Sequence, residues 1–550
     1  MRARASAALG LATTAAGLLL VIGSGTSAET SRRPEHTGER RGERKLVRAG
    51  ERELARPQAQ EIPRVWDDEA LREFELPHPG APFEVEHVPP DYYYGLTERV
   101  IHRMYPVYHP EFEPPGYLDS LRALAPGTVL DTDTLRSEAD WLRAGEILFD
   151  LPQNFLAAEG PSSAAALASV GVPVAADGTF PFHRYVVVAE GDVRLGVAAC
   201  GNCHTRVMPD GSVLKAVQGN YPLDRLRARA MGAVRDRGGR RAGGTDRVIS
   251  AEAFVAGRSR EQFGAPWVDH PSQTMLDTMS VDRAIALHAA VPPGSLLRQG
   301  THFFYPAKVP DLRGVRHRRF LDATGLIQQR SIGDLMRYAS FTQFVDHLSR
   351  YGDFVPVLGE NAGPLPPPRA ARSIVNGPVT RFTDAQLYAL ARYLYSLEPL
   401  PSPHAFEAET LALGERVFIE EGCVTCHAPP DYTIHQLTPA LGFEPSEDHY
   451  DRYPIFDVSV ETDPGLTLYT RRGTGYYKIP SLRGLWYRER LFHDGSLSLE
   501  QVLDPARLEG DFVPAGFRGT DSTRAVPGHP FGFELGEGER AALLAFLLSL

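Results

Sequence analysis

The chain has four cysteines in 550 residues, and they form two Cys-x-x-Cys pairs, each followed at once by histidine. Cys200-Gly-Asn-Cys203-His204 and Cys423-Val-Thr-Cys426-His427 both match the pattern of covalent haem c attachment. The spacing has a chemical reason. Two thiols on one tight turn add to the two vinyl groups of a haem, and the histidine that follows donates its imidazole nitrogen to the iron. Every cysteine is used, which excludes a disulfide-dense scaffold. A shared zinc site fits poorly, because the pairs lie 223 positions apart and each carries its own histidine. A thioredoxin-like redox pair would need a βαβ pattern nearby, and the sequence shows none.

Export agrees with this chemistry. Residues 1–28 carry a positive start at Arg2 and Arg4, an apolar run from Ala7 to Ile22, and a small-residue cleavage site, Thr26-Ser27-Ala28. They are expected to be a signal peptide, with the mature protein periplasmic or secreted and without an integral membrane span. Residues 29–64 mix arginine and acids with almost no large apolar side chains, the composition of a disordered tether. The remainder is an ordinary globular mixture, 43% hydrophobic and 23% charged. A net charge of −11 in an exported chain argues against nucleic acid as a partner.

The haem motifs sit in a longer internal repeat. Gly145-Glu-Ile-Leu-Phe149 precedes the first, and Gly414-Glu-Arg-Val-Phe418 precedes the second. Lys308-Val-Pro-Asp-Leu-Arg-Gly314 follows the first, and Lys478-Ile-Pro-Ser-Leu-Arg-Gly484 follows the second. Only four of the 58 basic residues are lysine, so two lysines at equivalent positions are informative. Each copy closes on an apolar helical stripe: Leu390, Tyr393, Leu394 and Leu397, then Leu543, Phe546, Leu547 and Leu550. The expected fold is mainly α: two cytochrome c-like domains with long irregular loops, at 131–400 and 401–550. An irregular N-terminal extension, 65–130, comes first. Phe149 and Cys200 lie 51 positions apart, against 5 for Phe418 and Cys423, so the first domain carries an insertion. Tyr185–Val188 and Val193–Val197 suit a small hairpin within it.

A c-type iron takes the motif histidine on one face and a variable group on the other. All seven methionines lie at or before Met336, so the second domain has none of its own to offer. Its candidates are His435, His449, His493 and His529. His529 is favoured, because the glycines of Pro527-Gly-His529-Pro-Phe-Gly532 let backbone approach a haem closely. His493, in Phe492-His-Asp-Gly-Ser496, is the alternative. In the first domain Met208 lies too near His204 to reach the other face. His270, Met275, Met279, His288, His302, His317 and His347 lack a persuasive context. With a two-residue gap, Phe320-Leu321-Asp322 matches Phe492-His493-Asp494, which puts leucine in place of histidine. An open first iron able to bind peroxide or dioxygen is therefore expected.

These motifs resemble the bacterial di-haem cytochrome c peroxidase superfamily, which includes the methylamine-utilisation di-haem enzyme and the bacterial rubber oxygenases. The resemblance covers 135–550. It implies two covalently bound haem c groups, a reactive iron on His204, and a relay iron held by His427 and His529. Gly528-His-Pro-Phe-Gly532 is similar to the distal-histidine segment of the rubber-oxygenase branch. One departure is Leu321-Asp-Ala-Thr324, where the peroxidases have Trp-Asp-Gly-Arg. Another is the distal glutamine, whose position falls near Leu335. An apolar pocket at Leu335 and Met336 agrees better with the oxygenases, while Asp346 is the nearest acid that could replace the glutamine.

The resulting expectation is an exported di-haem redox enzyme, peroxidase- or oxygenase-like, with no catalytic residue assigned beyond the irons. The alternative is a di-haem electron carrier. The implied partners are a redox protein or a small-molecule oxidant or substrate. Trp66, Trp141, Trp267 and Trp486 suit core positions better than an electron relay.

Overall fold

The computed structural model describes residues 62–160, 163–238, 240–241, 248–249, 255, 259–298, 301–373 and 377–550. The expected signal segment, and all but the last three residues of the expected tether, lie outside these. Among the described residues, no helix is long and apolar enough to cross a membrane.

Each repeat is built on a pair of helices that cross at a glycine. In the first, the leading helix Glu138–Asp150 packs on the closing helix Asp384–Tyr395. In the second, Ala408–Glu420 packs on Glu537–Ser549. A Cβ on Gly145 would stand 2.2 Å from Ala389 O, and one on Gly414 would stand 2.1 Å from Ala542 O. That close approach explains why both copies keep glycine four residues before a buried phenylalanine. Phe149 meets Tyr393 (ring centroids 5.8 Å apart), and Phe418 meets Phe546 (5.4 Å).

The backbone between these helices also repeats. Gly314 N–H donates to Leu397 O (2.7 Å), and Gly484 N–H donates to Leu550 O (3.1 Å), tying each Leu-Arg-Gly turn to the end of its closing helix. Leu312 N–H reaches Ala216 O (2.9 Å), and Leu482 N–H reaches Tyr432 O (3.2 Å). Ala216 and Tyr432 both hold positive φ, 59° and 49°.

The expectation of a mainly α fold is corrected: the chain is mixed, with strands as well as helices. An antiparallel sheet runs in the order Met104–Tyr108, Thr179–Ala189, Asp192–Val197, Asn154–Ala157. The hairpin expected in the insertion is its centre, longer than expected and flanked on both sides. Phe180, Phe182, Tyr185, Val187 and Leu195 bury one core beneath it. Several two-stranded ribbons occur elsewhere. The N-terminal extension is not merely a cover. It supplies the first strand of the sheet, and Val65, Trp66, Phe74 and Tyr93 join Leu148, Phe149 and Leu390 in the largest core. Trp66 stacks on Tyr93 at 4.6 Å and donates from Nε1 to Val88 O (2.8 Å).

Candidate functional site: two motif histidines and a shared cavity

Both motif histidines are oriented in the same way. His204 Nδ1 meets Pro310 O at 2.9 Å. His427 Nδ1 meets Tyr432 O at 3.2 Å, and the carbonyl of Pro480, the repeat partner of Pro310, also hydrogen-bonds this ring. A carbonyl on Nδ1 fixes the tautomer and leaves Nε2 as the free electron pair, the usual arrangement behind a metal-ligating histidine. Burial pushes both imidazoles down to about 4, so they are neutral near pH 7.

The four cysteines are unpaired. Burial raises Cys200 to about 12 and Cys423 to about 11, and it raises Cys203 and Cys426 as well. None is a poised thiolate.

Cys423, Cys426, His427 and His529 line one cavity of about 300 Å³, with Phe418, Leu543 and Leu547 among its apolar walls. The His529 ring centroid lies 6.5 Å from that of His427, with the planes at 58°. Two axial imidazoles about 2 Å from one metal would put their centroids roughly 6 Å apart. His529 has φ 51°, and its N–H donates to Val460 O at 2.6 Å. Arg507 holds this turn through Gly528 O (2.6 Å) and His529 O (2.9 Å). Burial, then the neighbouring His427 and Arg507, push His529 down to about 3, and its Nδ1 is buried without a hydrogen-bond partner. The second motif therefore fits a haem: paired thiols, two neutral facing imidazoles and a cavity with apolar walls around them and cations at another part of its lining. Of the other candidates, His493 also lines the cavity but stacks on Tyr477 (4.6 Å), His435 contacts Asp431 (3.3 Å), and His449 contacts Tyr476 Oη (2.8 Å).

A polar cluster links the first motif to the wall of this cavity, which Arg298 and Asp322 line. Arg298 acts electrostatically on Cys203 and His204, and it also reaches Tyr338 Oη (3.4 Å) and Asp322 Oδ2 (3.9 Å). Tyr338 donates to Asp322 at 2.8 Å, and Arg472 bridges Asp322 (3.6 Å) and Asp346 (3.1 Å). Burial pushes the Asp322 carboxyl up, but Arg298 and Arg472 outweigh it and hold the group below its ordinary value. Burial raises the Tyr338 hydroxyl to about 12. Leu335 and Met336 pack into the main core instead. The candidate first-domain ligands are engaged elsewhere: His270 stacks on Tyr469 (3.9 Å), His288 pairs with Asp224 (2.8 Å), His302 meets Ser272 O (3.0 Å), and Met275 is exposed.

The structure also resets the repeat register. Asp322 and Phe492 both hold positive φ (69° and 63°), and Gly325 and Gly495 follow with 66° and 72°. Leu321 pairs with Ile327 as Leu491 pairs with Leu497. The copies thus align without a gap, 170 positions apart like Lys308 and Lys478. Ala323, not Leu321, occupies the place of His493. Arg298, Tyr338 and Arg472 escaped the sequence reading because they come from distant segments with no shared pattern, and Asp322 was read only as part of a motif. Pro310 and Pro480 were visible within the lysine motifs.

No protein-family model matches the chain, and no curated protein matches it. Among solved structures, it is similar to the hydrazine synthase of Kuenenia stuttgartiensis in a crystal pressurised with 20 bar xenon. That match has 14% identity over 58% of this chain and 92% of the other, with a TM-score of 0.27. It is also similar to a MauG-like protein associated with microbial copper homeostasis, at 21% identity over 30% of this chain, with a TM-score of 0.19. There the chain spans 56% of the other's length.

Proposed function

We propose that the chain is an exported di-haem c-type redox enzyme, with haem attached at Cys200 and Cys203 and at Cys423 and Cys426. The observation that carries this reading is the pairing of His427 with His529 across a cavity lined by two free cysteines. His204 and His427 would hold the irons from one face, and His529 would complete the second. Bound haem would supply one-electron chemistry and, at the first motif, a site for peroxide or dioxygen.

The protein's own part is orientation and proton handling. The Pro310 and Pro480 carbonyls keep both motif histidines in one tautomer. Arg298, which acts on Cys203 and His204, also joins a pair in which Tyr338 Oη holds a proton at neutral pH while Asp322, kept ionised by Arg298 and Arg472, accepts its hydrogen bond. A fixed donor beside an ionised acceptor suits general acid–base work. This polar cluster favours an enzyme over a carrier.

Spectra of the reduced protein with and without carbon monoxide test the reading. Carbon monoxide bound at one haem supports a reactive first iron. Two inert low-spin haems support an electron carrier and overturn the enzyme. His529→Ala should turn the second haem high-spin, and an unchanged spectrum transfers the ligand role to His493.

A further inference from the structure

The cavity that holds His427 and His529 carries an excess of positive charge. Arg298, Lys308, Arg318, Arg319, Lys478 and Arg488 line it, against the carboxylates of Asp311 and Asp322. Those two acids are already engaged. Asp311 accepts from Arg488 (2.9 Å) and Tyr487 (3.0 Å), and Asp322 faces Arg298, Tyr338 and Arg472. Among the described residues, no carboxylate lies within ion-pair distance of Lys308, Lys478 or Arg318. Among the described residues, the hydrogen bond from Lys478 Nζ goes to Phe320 O at 3.4 Å.

These cations are placed by the repeat. Lys308 N–H donates to His493 O (2.7 Å), and Lys478 N–H donates to Ala323 O (3.1 Å). Since Ala323 is the counterpart of His493, each lysine is anchored on the same position of the opposite repeat. Arg318 reaches back to Asp311 O and to Arg313 O (2.8 Å), as Arg488 reaches back to Ser481 O (2.8 Å) and to Arg483 O. Both lysines feel the repulsion of Arg318 and Arg488. Burial, first, and those neighbours lower Lys308 to about 8 and Lys478 to about 7. Gathering like charges in a buried space is costly unless an anion joins them. Each haem brings two carboxylates of its own, the propionates.

We propose that Lys308, Lys478 and Arg318 form a carboxylate clamp that binds the propionates of the haem held at Cys423 and Cys426. This rests on the di-haem reading above and adds the groups that fix the haem's polar edge. A soluble anionic substrate offers the same carboxylate chemistry, and the test separates the two sources.

The test uses the purified full-length holoprotein, with covalent haem counted by mass and by pyridine haemochrome. Lys308→Gln and Lys478→Gln are compared with Lys478→Arg by titrating the second haem's midpoint potential against pH. A cation a few ångströms from a carboxylate lowers its pKa by roughly one to three units. In the glutamine variants the propionate ionisation should therefore move up by about that amount, and the potential should fall because the oxidised iron is less disfavoured. Lys478→Arg should restore both. If the glutamine variants fail to load haem, resonance Raman of the unmodified holoprotein decides, through the propionate-bending band. A band at the position of ion-paired propionates supports the clamp, and a band at the free position overturns it. Fully loaded glutamine variants with an unchanged potential and pH profile overturn the clamp but leave the di-haem reading intact. A wild-type chain without covalent haem overturns both. Saturable displacement of the potential by succinate assigns the lysines to a soluble anion and also overturns the propionate assignment.

Discussion

In the second repeat, His427 shares with His529, whose ring stands 6.5 Å away, a cavity with Phe418, Leu543 and Leu547 in its walls. In the first, His204 keeps the same kind of proline carbonyl behind it, but among the described residues no histidine faces it in that cavity, and it feels Arg298, which joins Tyr338 and Asp322. The frame has been duplicated: a helix crossing at glycine, a Leu-Arg-Gly turn tied to the closing helix, and a carbonyl on the motif histidine. The environments beyond that frame have diverged. On the proposed reading, a neutral imidazole opposite His427 would close a site that passes electrons, and a hydroxyl hydrogen-bonded to an ionised carboxylate would serve a site that handles protons.

The buried arginines give the sharpest way to break this comparison. Arg472 pairs with Asp346 and shares Asp322 with Arg298, so Arg472→Met leaves the buried Asp346 carboxylate without its ion pair and should cost about 3–5 kcal/mol in denaturant unfolding. Arg507, its counterpart in importance at the second site, bonds only to carbonyls, including those of Gly528 and His529. Arg507→Met should cost less, about 1–3 kcal/mol, through orphaned acceptors. Equal losses would mean that the first site is not held together by charge in the way described.

The helix crossings should show the opposite result, near equality. A methyl on Gly145 or on Gly414 meets a carbonyl oxygen at 2.2 or 2.1 Å, so each helix pair must separate slightly. Gly145→Ala and Gly414→Ala should each lose about 1–3 kcal/mol by thermal or chemical unfolding. A harmless substitution in one repeat would show that its crossing is looser than its partner's.

This duplicated frame is the part of the molecule that was legible in the sequence. Cys-x-x-Cys-His, the lysine motif and the Leu390 and Leu543 stripes are local patterns, and local patterns survive as similarity. The sheet was legible only at its hairpin, because Met104–Tyr108 and Asn154–Ala157 join it from distant segments and show no pairing signal of their own. Asp346 was visible as an acid, but the cluster was hidden for the same reason, since Asp322 and Asp346 meet an arginine more than a hundred positions later. The Phe-His-Asp match misled because residue identity favoured a gap, whereas backbone conformation, with positive φ at Asp322 and Phe492, keeps the copies in step.

The smallest expected difference lies at the helix starts, where the repeats are unequal in a way that has nothing to do with iron. Ser137 caps the first leading helix by accepting from Asp140 N–H (3.2 Å), with the Asp140 carboxylate returning to Ser137 N–H (2.9 Å). Thr383 and Gln386 do the same for the first closing helix, at 3.2 and 3.0 Å. The second pair lacks the N-cap side chain: Glu407 makes no side-chain cap, and Gly536 has none to offer, although the Glu539 carboxylate accepts from Gly536 N–H (3.1 Å). Thr383→Ala should therefore cost about 1 kcal/mol in denaturant unfolding, while Glu407→Ala should cost almost nothing. Glu407→Ser should add a cap and recover a similar amount. If Thr383→Ala and Glu407→Ala prove equivalent, capping does not distinguish the repeats, and the first helix pair owes its position to the glycine crossing and to the extension packed around Trp66.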